Sequence, residues 1–236
     1  MSRLLKRVLG AIEHHGALLV FPLNNRPQPL ALWHVLFPDQ PMNWEWSNDG
    51  DDQVVQMWHL RRELMESGQI YYGKLFRGRA TVLSLSAFEA AWRLTQSHRE
   101  LGLVGEASEI AELLDFDSPL STKQLKSGTE LMGRDNEARF NSAMKKLWSH
   151  LWIAGVGEVD EGAFPSLSHA WTASVLEESC RRGERLSEDL SRDLWEDLAN
   201  GRELLSRLSP SGGTKIEQSK PRLRQDQSRV KKKSPR

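Results

Sequence analysis

The sequence predicts an α+β protein of two tandem winged-helix units, each a helix-turn-helix followed by a β-hairpin, with a C-terminal helical extension and a disordered basic tail. Three observations carry this expectation. The order helix, strand, helix, helix, hairpin is written twice along the chain. A 39% hydrophobic content over 236 residues is enough to close real cores. The zero net charge conceals a split: residues 209–236 hold nine Lys or Arg against two acids, a +7 segment behind a −7 remainder. The expected boundaries are 1–100 and 101–172 for the two units, 173–208 for the extension and 209–236 for the tail, which is too poor in large apolar residues to offset the entropy of ordering.

In the first unit, Leu5, Val8, Leu9 and Ile12 fall at i, i+3, i+4 and i+7, the stripe of an amphipathic helix that His14, His15 and Gly16 would end. Ala17 to Phe21 reads as a strand stopped by Pro22. Pro29 suits the first turn of a helix carrying Leu32, Val35 and Leu36. Beyond the loop of Trp44 and Trp46, the acids of DGDD favour the start of a helix running to about Ser67; their spacing matches no calcium loop. Ile70 to Leu75 and Thr81 to Leu85 make a hairpin with Gly78 at its turn. Ser86 with Glu89 fits a capping box for the helix AFEAAWRLT.

The second unit repeats the order. Ile110, Leu113 and Leu114 mark a helix. Ser121 with Gln124 forms a capping box, flanked by Leu120 and Leu125 at the staple positions, for the short helix TKQLKS ending at Gly128. From about Asn136 to Leu151, Phe140, Met144, Leu147 and Leu151 form one narrow stripe. The opposite face carries Arg139, Asn141, Ser142, Lys145, Lys146 and Ser149 and reads as free of carboxylates. Trp152 to Val159, a DEG turn and Phe164 to Leu167 complete a second hairpin.

A helix-turn-helix followed by a hairpin lays its second helix in the major groove of a duplex, polar face toward bases and phosphates. The candidate DNA contacts are therefore Lys123, Lys126, Arg139, Asn141, Ser142, Lys145 and Lys146, with Lys74, Arg77 and Arg79 from the first hairpin. Arg77 and Arg79 flank Gly78 with no sequence-local acid, as a phosphate-touching wing would. Glu45, held between Trp44 and Trp46, together with Tyr72 outlines a pocket in which an unpaired base could stack.

Other chemistry is poorly represented. Cys180 is the only cysteine, which rules out an internal disulfide and a Cys-based zinc site. The seven histidines lack metal-ligand spacing, and neither a glycine-rich phosphate loop nor a nucleophile elbow is present. We therefore expect no metal, cofactor or catalytic residue. No run reaches the roughly 18 apolar residues of a membrane span, and the N-terminus breaks into charge early. The expectation is a cytoplasmic protein off the membrane, with duplex DNA as its partner and room for a protein partner.

HHGALLVFPLNNRPQPLALW, the Trp44 and Trp46 pair, YYGKLFRGRATVLSL, and PLSTKQL followed by RFNSAMKKLWSHLWIAGVG resemble, in order and spacing, the small winged-helix proteins related to the DNA glycosylase AlkZ and its relative YcaQ. The resemblance covers about residues 1–175. It implies tandem winged helices and DNA binding, in the service of base-lesion repair. Active members of that family carry Gln, an apolar residue, then Gln or Asp on the segment after the first helix, to position a hydrolytic water. The like-placed segment here is ALLVFPL, in which nothing at Val20 or Phe21 can orient water. Asn24 and Asn25 are the nearest amides and read as a loop pair. The resemblance therefore points to a non-catalytic repair accessory or regulatory factor, with a divergent glycosylase and a protein-docking module as the alternatives.

Overall fold

A computed structural model describes residues 2–43, 52–161, 165–208 and 210. The chain begins with α1 (Arg3–His15), whose Leu5, Val8 and Ile12 are buried as their spacing dictates. Ser2 opens it by accepting from the Leu5 N–H at 3.1 Å, and Gly16 closes it at φ 70°. β1 (Ala17–Leu19) is shorter than the apolar run, and Leu19 also makes a parallel bridge to Ala31. The next helix starts later than expected: α2 is Leu32–Leu36, and Pro29 precedes it rather than sitting in its first turn. α3 (Asp52–Glu66) follows and starts at the last residue of DGDD, while residues 49–51 of that cap lie outside the described residues.

β2 (Ile70–Phe76) and β3 (Arg79–Ser84) pair antiparallel, with Phe76 opposite Arg79. The turn is therefore Arg77-Gly78, and both residues have positive φ, 51° and 70°. This primed two-residue turn matches the right-handed twist of the strands. The sheet order is β1-β3-β2.

α4 (Leu85–Leu94) and the short α5 (Gln96–Glu100) come next. The cap of α4 is Ser84, not Ser86. β3 runs straight into the helix without a loop, so Ser84 is the last extended residue, and its Oγ accepts from the Ala87 N–H at 3.2 Å. Ser86 instead donates to Glu13.

The second half contains α6 (Glu106–Phe116), β4 (Leu120–Ser121), α7 (Thr122–Gly128), α8 (Glu137–Ser149), β5 (Ile153–Val159) and β6 (Ser166–Trp171). Its sheet order, β4-β6-β5, repeats that of the first half. The Ser121–Gln124 capping box is formed in both directions, at 3.1 and 2.8 Å. β6 starts at Ser166 rather than Phe164, and residues 162–164 of its turn lie outside the described residues. A core of Ile110, Leu114, Leu125, Phe140, Leu147 and Ile153 holds this half together.

α9 (Thr172–Val175), α10 (Glu177–Arg185), α11 (Glu188–Ala199) and α12 (Glu203–Arg207) return to the first half, where Leu176, Cys180, Trp195, Leu204 and Leu205 complete its core. Gly183 lets α10 approach α4 closely: a Cβ there would stand 2.7 Å from the Glu89 carbonyl oxygen. Burial pushes the Cys180 thiol up to about 12, so it is an inert core residue.

The two halves join through β2, α3 and β5. The buried Tyr71 hydroxyl donates to the Ile153 carbonyl at 2.8 Å. The Trp58 indole N–H donates to Glu158 at 2.5 Å, and Arg61 forms an ion pair with the same carboxylate. Among the described residues, no helix is long and apolar enough to cross a membrane.

Candidate nucleic-acid interface

A cleft of about 1820 Å³ opens between the β2–β3 hairpin, α8 and the returning helices α11 and α12. The hairpin contributes Lys74, Phe76, Arg77 and Gly78, and α8 contributes Asn141, Lys145 and Ser149 from its polar face. Their convergence follows from sequence-local facts. The primed turn extends the hairpin tip, and the buried stripe Phe140, Met144, Leu147 turns the opposite face of α8 outward.

The other wall was not anticipated. α11 supplies Glu188, Arg192 and Glu196, and α12 supplies Arg207. Arg192 pairs with Glu188 at 2.7 Å and Arg207 with Glu203 at 2.6 Å. Among the described lining residues, five cations face two carboxylates. The cleft is net cationic, although the chain before the tail is net acidic. A cationic groove draws in a polyanion by local field rather than by total charge.

The remaining candidates are placed elsewhere. Lys123, Lys126, Arg139, Ser142, Lys146 and Arg79 do not line the cleft. The face of α8 is also not free of carboxylates. The helix begins at Glu137, which binds Lys126 at 2.5 Å and accepts from the Asn141 amide at 3.3 Å. Arg139 reaches across to Glu106 of α6 at 2.7 Å. These two cations are engaged within the protein, and Lys126 also stands 5.0 Å from the Phe140 ring centre. Tyr72 is buried in the core beside Arg61 and against Gly155, where a Cβ would stand 2.5 Å from its ring. Trp44, Glu45 and Trp46 lie outside the described residues.

Desolvation, aided by the Arg61 guanidinium, lowers the Lys74 ammonium below its ordinary range. At the cleft floor, burial pushes His169 down from 6.5 to about 4 while its Nδ1 lies 3.2 Å from the Leu120 carbonyl. A histidine held neutral stabilises the fold above 6.5, and this contribution is lost as pH falls toward 4, amounting to about 3 kcal/mol. Comparing the pH dependence of urea unfolding for the parent and His169→Gln should show the parent losing more stability across that window. Parallel curves would contradict the assignment.

On the segment after α1, Val20 is fully buried and Phe21 packs against the same core. Asn24 and Asn25 both have φ 53°, and the Asn25 amide clamps Met42 through bonds of 2.8 and 2.9 Å. Both asparagines therefore serve a loop.

The fold and cleft define an α+β protein whose two halves repeat one helix–hairpin order around a cationic groove. The AlkZ-related family model matches residues 5–194, and the chain belongs to that family. The match continues past Trp171, so α9, α10 and most of α11 fall inside the family region rather than beyond it. No curated protein and no solved structure matches the chain.

Proposed function

We propose that this protein is a non-catalytic duplex-DNA-binding protein of two tandem winged helices, acting in the cytoplasm as a DNA-repair accessory or regulatory factor. The observation that carries the reading is the single cleft that gathers Lys74 and Arg77 of one hairpin with Asn141 and Lys145 of α8. The repeated element order and the matching strand orders, β1-β3-β2 and β4-β6-β5, support the winged-helix assignment. In this arrangement α7 and α8 are the helix-turn-helix of the second unit, α8 enters the major groove, and the Arg77-Gly78 turn is the wing of the first. The buried, apolar segment at Val20 supports a role without base hydrolysis. The exposed carboxylates of α11 favour a second reading, in which one wall of the cleft docks a basic protein.

The wing is tested by Arg77→Ala/Arg79→Ala. Both side chains are exposed, and alanine keeps the Cβ that the positive-φ turn already tolerates, so stability should change by less than about 0.5 kcal/mol. Affinity should weaken about equally for all duplex sequences, and the salt slope should fall by up to about 1.8. Early melting with unchanged DNA affinity would make the hairpin purely structural. Single-turnover release of an alkylated base by the parent protein would favour a glycosylase instead.

A further inference from the structure

The last described residues, Ser206 to Leu208 and Pro210, line the cleft, so the remaining 26 residues of the sequence, 211–236, are joined to the chain at its lining. Beside Pro210 is an apolar hollow of about 70 Å³ walled by Leu75, Leu83, Leu151, Trp195 and Leu208. Its leucine and tryptophan walls suit an aliphatic side chain. On the adjoining face of α11, Asp193, Glu196 and Asp197 are exposed and make no ion pair among the described residues.

The departing segment has matching chemistry. Ile216, Leu223 and Val230 recur every seven residues, and each directly follows a Lys or Arg: Lys215, Arg222 and Arg229. Ile216 lies six residue steps beyond Pro210, a reach of about 20 Å when extended, ample to return to a hollow that Pro210 itself borders. We propose that residues 211–236 dock back on the α11 wall of the cleft, seating Ile216 in the apolar hollow and pairing Lys215 and Lys220 with Glu196 and its neighbouring carboxylates. This neutralises the acidic wall and directs the terminal KKKSPR along the groove. The contact needs no nucleic acid, so it stands or falls separately from the DNA-binding reading.

The test is zero-length carbodiimide coupling of amines to carboxylates in the full chain without DNA. Mixing isotope-labelled and unlabelled chains separates links within a molecule from links between molecules. Links from Lys215 and Lys220 to Glu188, Asp193 and Glu196 within one molecule are expected. Their yield should fall about fivefold at ~1 M salt, where charge attraction is screened beyond ~3 Å. A comparable fall is expected with Ile216→Asp, a change that leaves the described core intact. Links spread evenly to the distant exposed acids Glu63 and Asp115, links only between molecules, or an Ile216→Asp yield equal to the parent's would each overturn the proposal.

Discussion

Glu158→Ala should destabilise the protein by about 3–5 kcal/mol, the largest single-residue effect expected from this structure. The Glu158 side chain is only 6% exposed and holds two donors from the opposite half, the Trp58 indole N–H and the Arg61 guanidinium. Truncation leaves both donors facing a low-dielectric interior. Arg61 is poorly placed to recover, because its Nε is already buried without a hydrogen-bond partner. Glu158→Gln keeps the volume and an acceptor for Trp58 but removes the charge, so an intermediate loss is expected. Urea unfolding of the parent and both variants measures this. A loss below about 1 kcal/mol for the alanine variant would mean that the pair is solvent-screened and contributes little to joining the halves. Because α3 and β5 meet at this carboxylate, the same residue helps fix the placement of the hairpin and α8 across the cleft.

The second large effect is on binding. Lys74→Ala/Arg77→Ala/Lys145→Ala removes three cleft cations from two elements and both halves of the chain. Each phosphate neutralised contributes about 0.9 to the salt slope, so the triple variant should lose about 2.7 of it, equivalent to on the order of 10² to 10³ in affinity at ~0.1 M salt. The fold should tolerate the change. Lys74, Arg77 and Lys145 are exposed, and truncating exposed side chains changes stability little. Unaltered affinity in a normally folded variant would move the interface off the cleft. The asparagine at position 141 is a separate matter: Glu137 already engages its amide, so Asn141→Ala should alter binding much less.

What could be read from the sequence was local. Gly16 and Gly78 announced positive-φ positions, Ser121 and Gln124 a capping box, and the Phe140–Met144–Leu147 stripe the buried side of α8; each depends on neighbours within one or two turns. Several misassignments arose where distant residues decide. Ser86 scored as a cap on spacing alone, yet β3 pairing fixes the strand-to-helix junction at Ser84. The reading of α8's polar face as free of acids missed a local one, Glu137 in the helix's own first turn and four residues before Asn141, and a distant one, Glu106, which binds Arg139 from 33 residues away. Half of the cleft was invisible because the deciding residues are distant. Nothing local in EDLSRDLWEDLA states that this helix packs on α4, about a hundred residues earlier, and brings Arg192 and Glu196 opposite Lys145.

The central claim is that the cleft binds duplex DNA through its phosphates. The most direct test is an anisotropy titration of the full-length protein against a labelled duplex of arbitrary sequence, repeated from ~50 to ~300 mM salt. Saturable binding should weaken linearly in log–log form with a slope of about −2.7 or steeper, as engagement of Lys74, Arg77 and Lys145 requires at minimum. No binding at the lowest salt, or binding with a slope near zero, would contradict it.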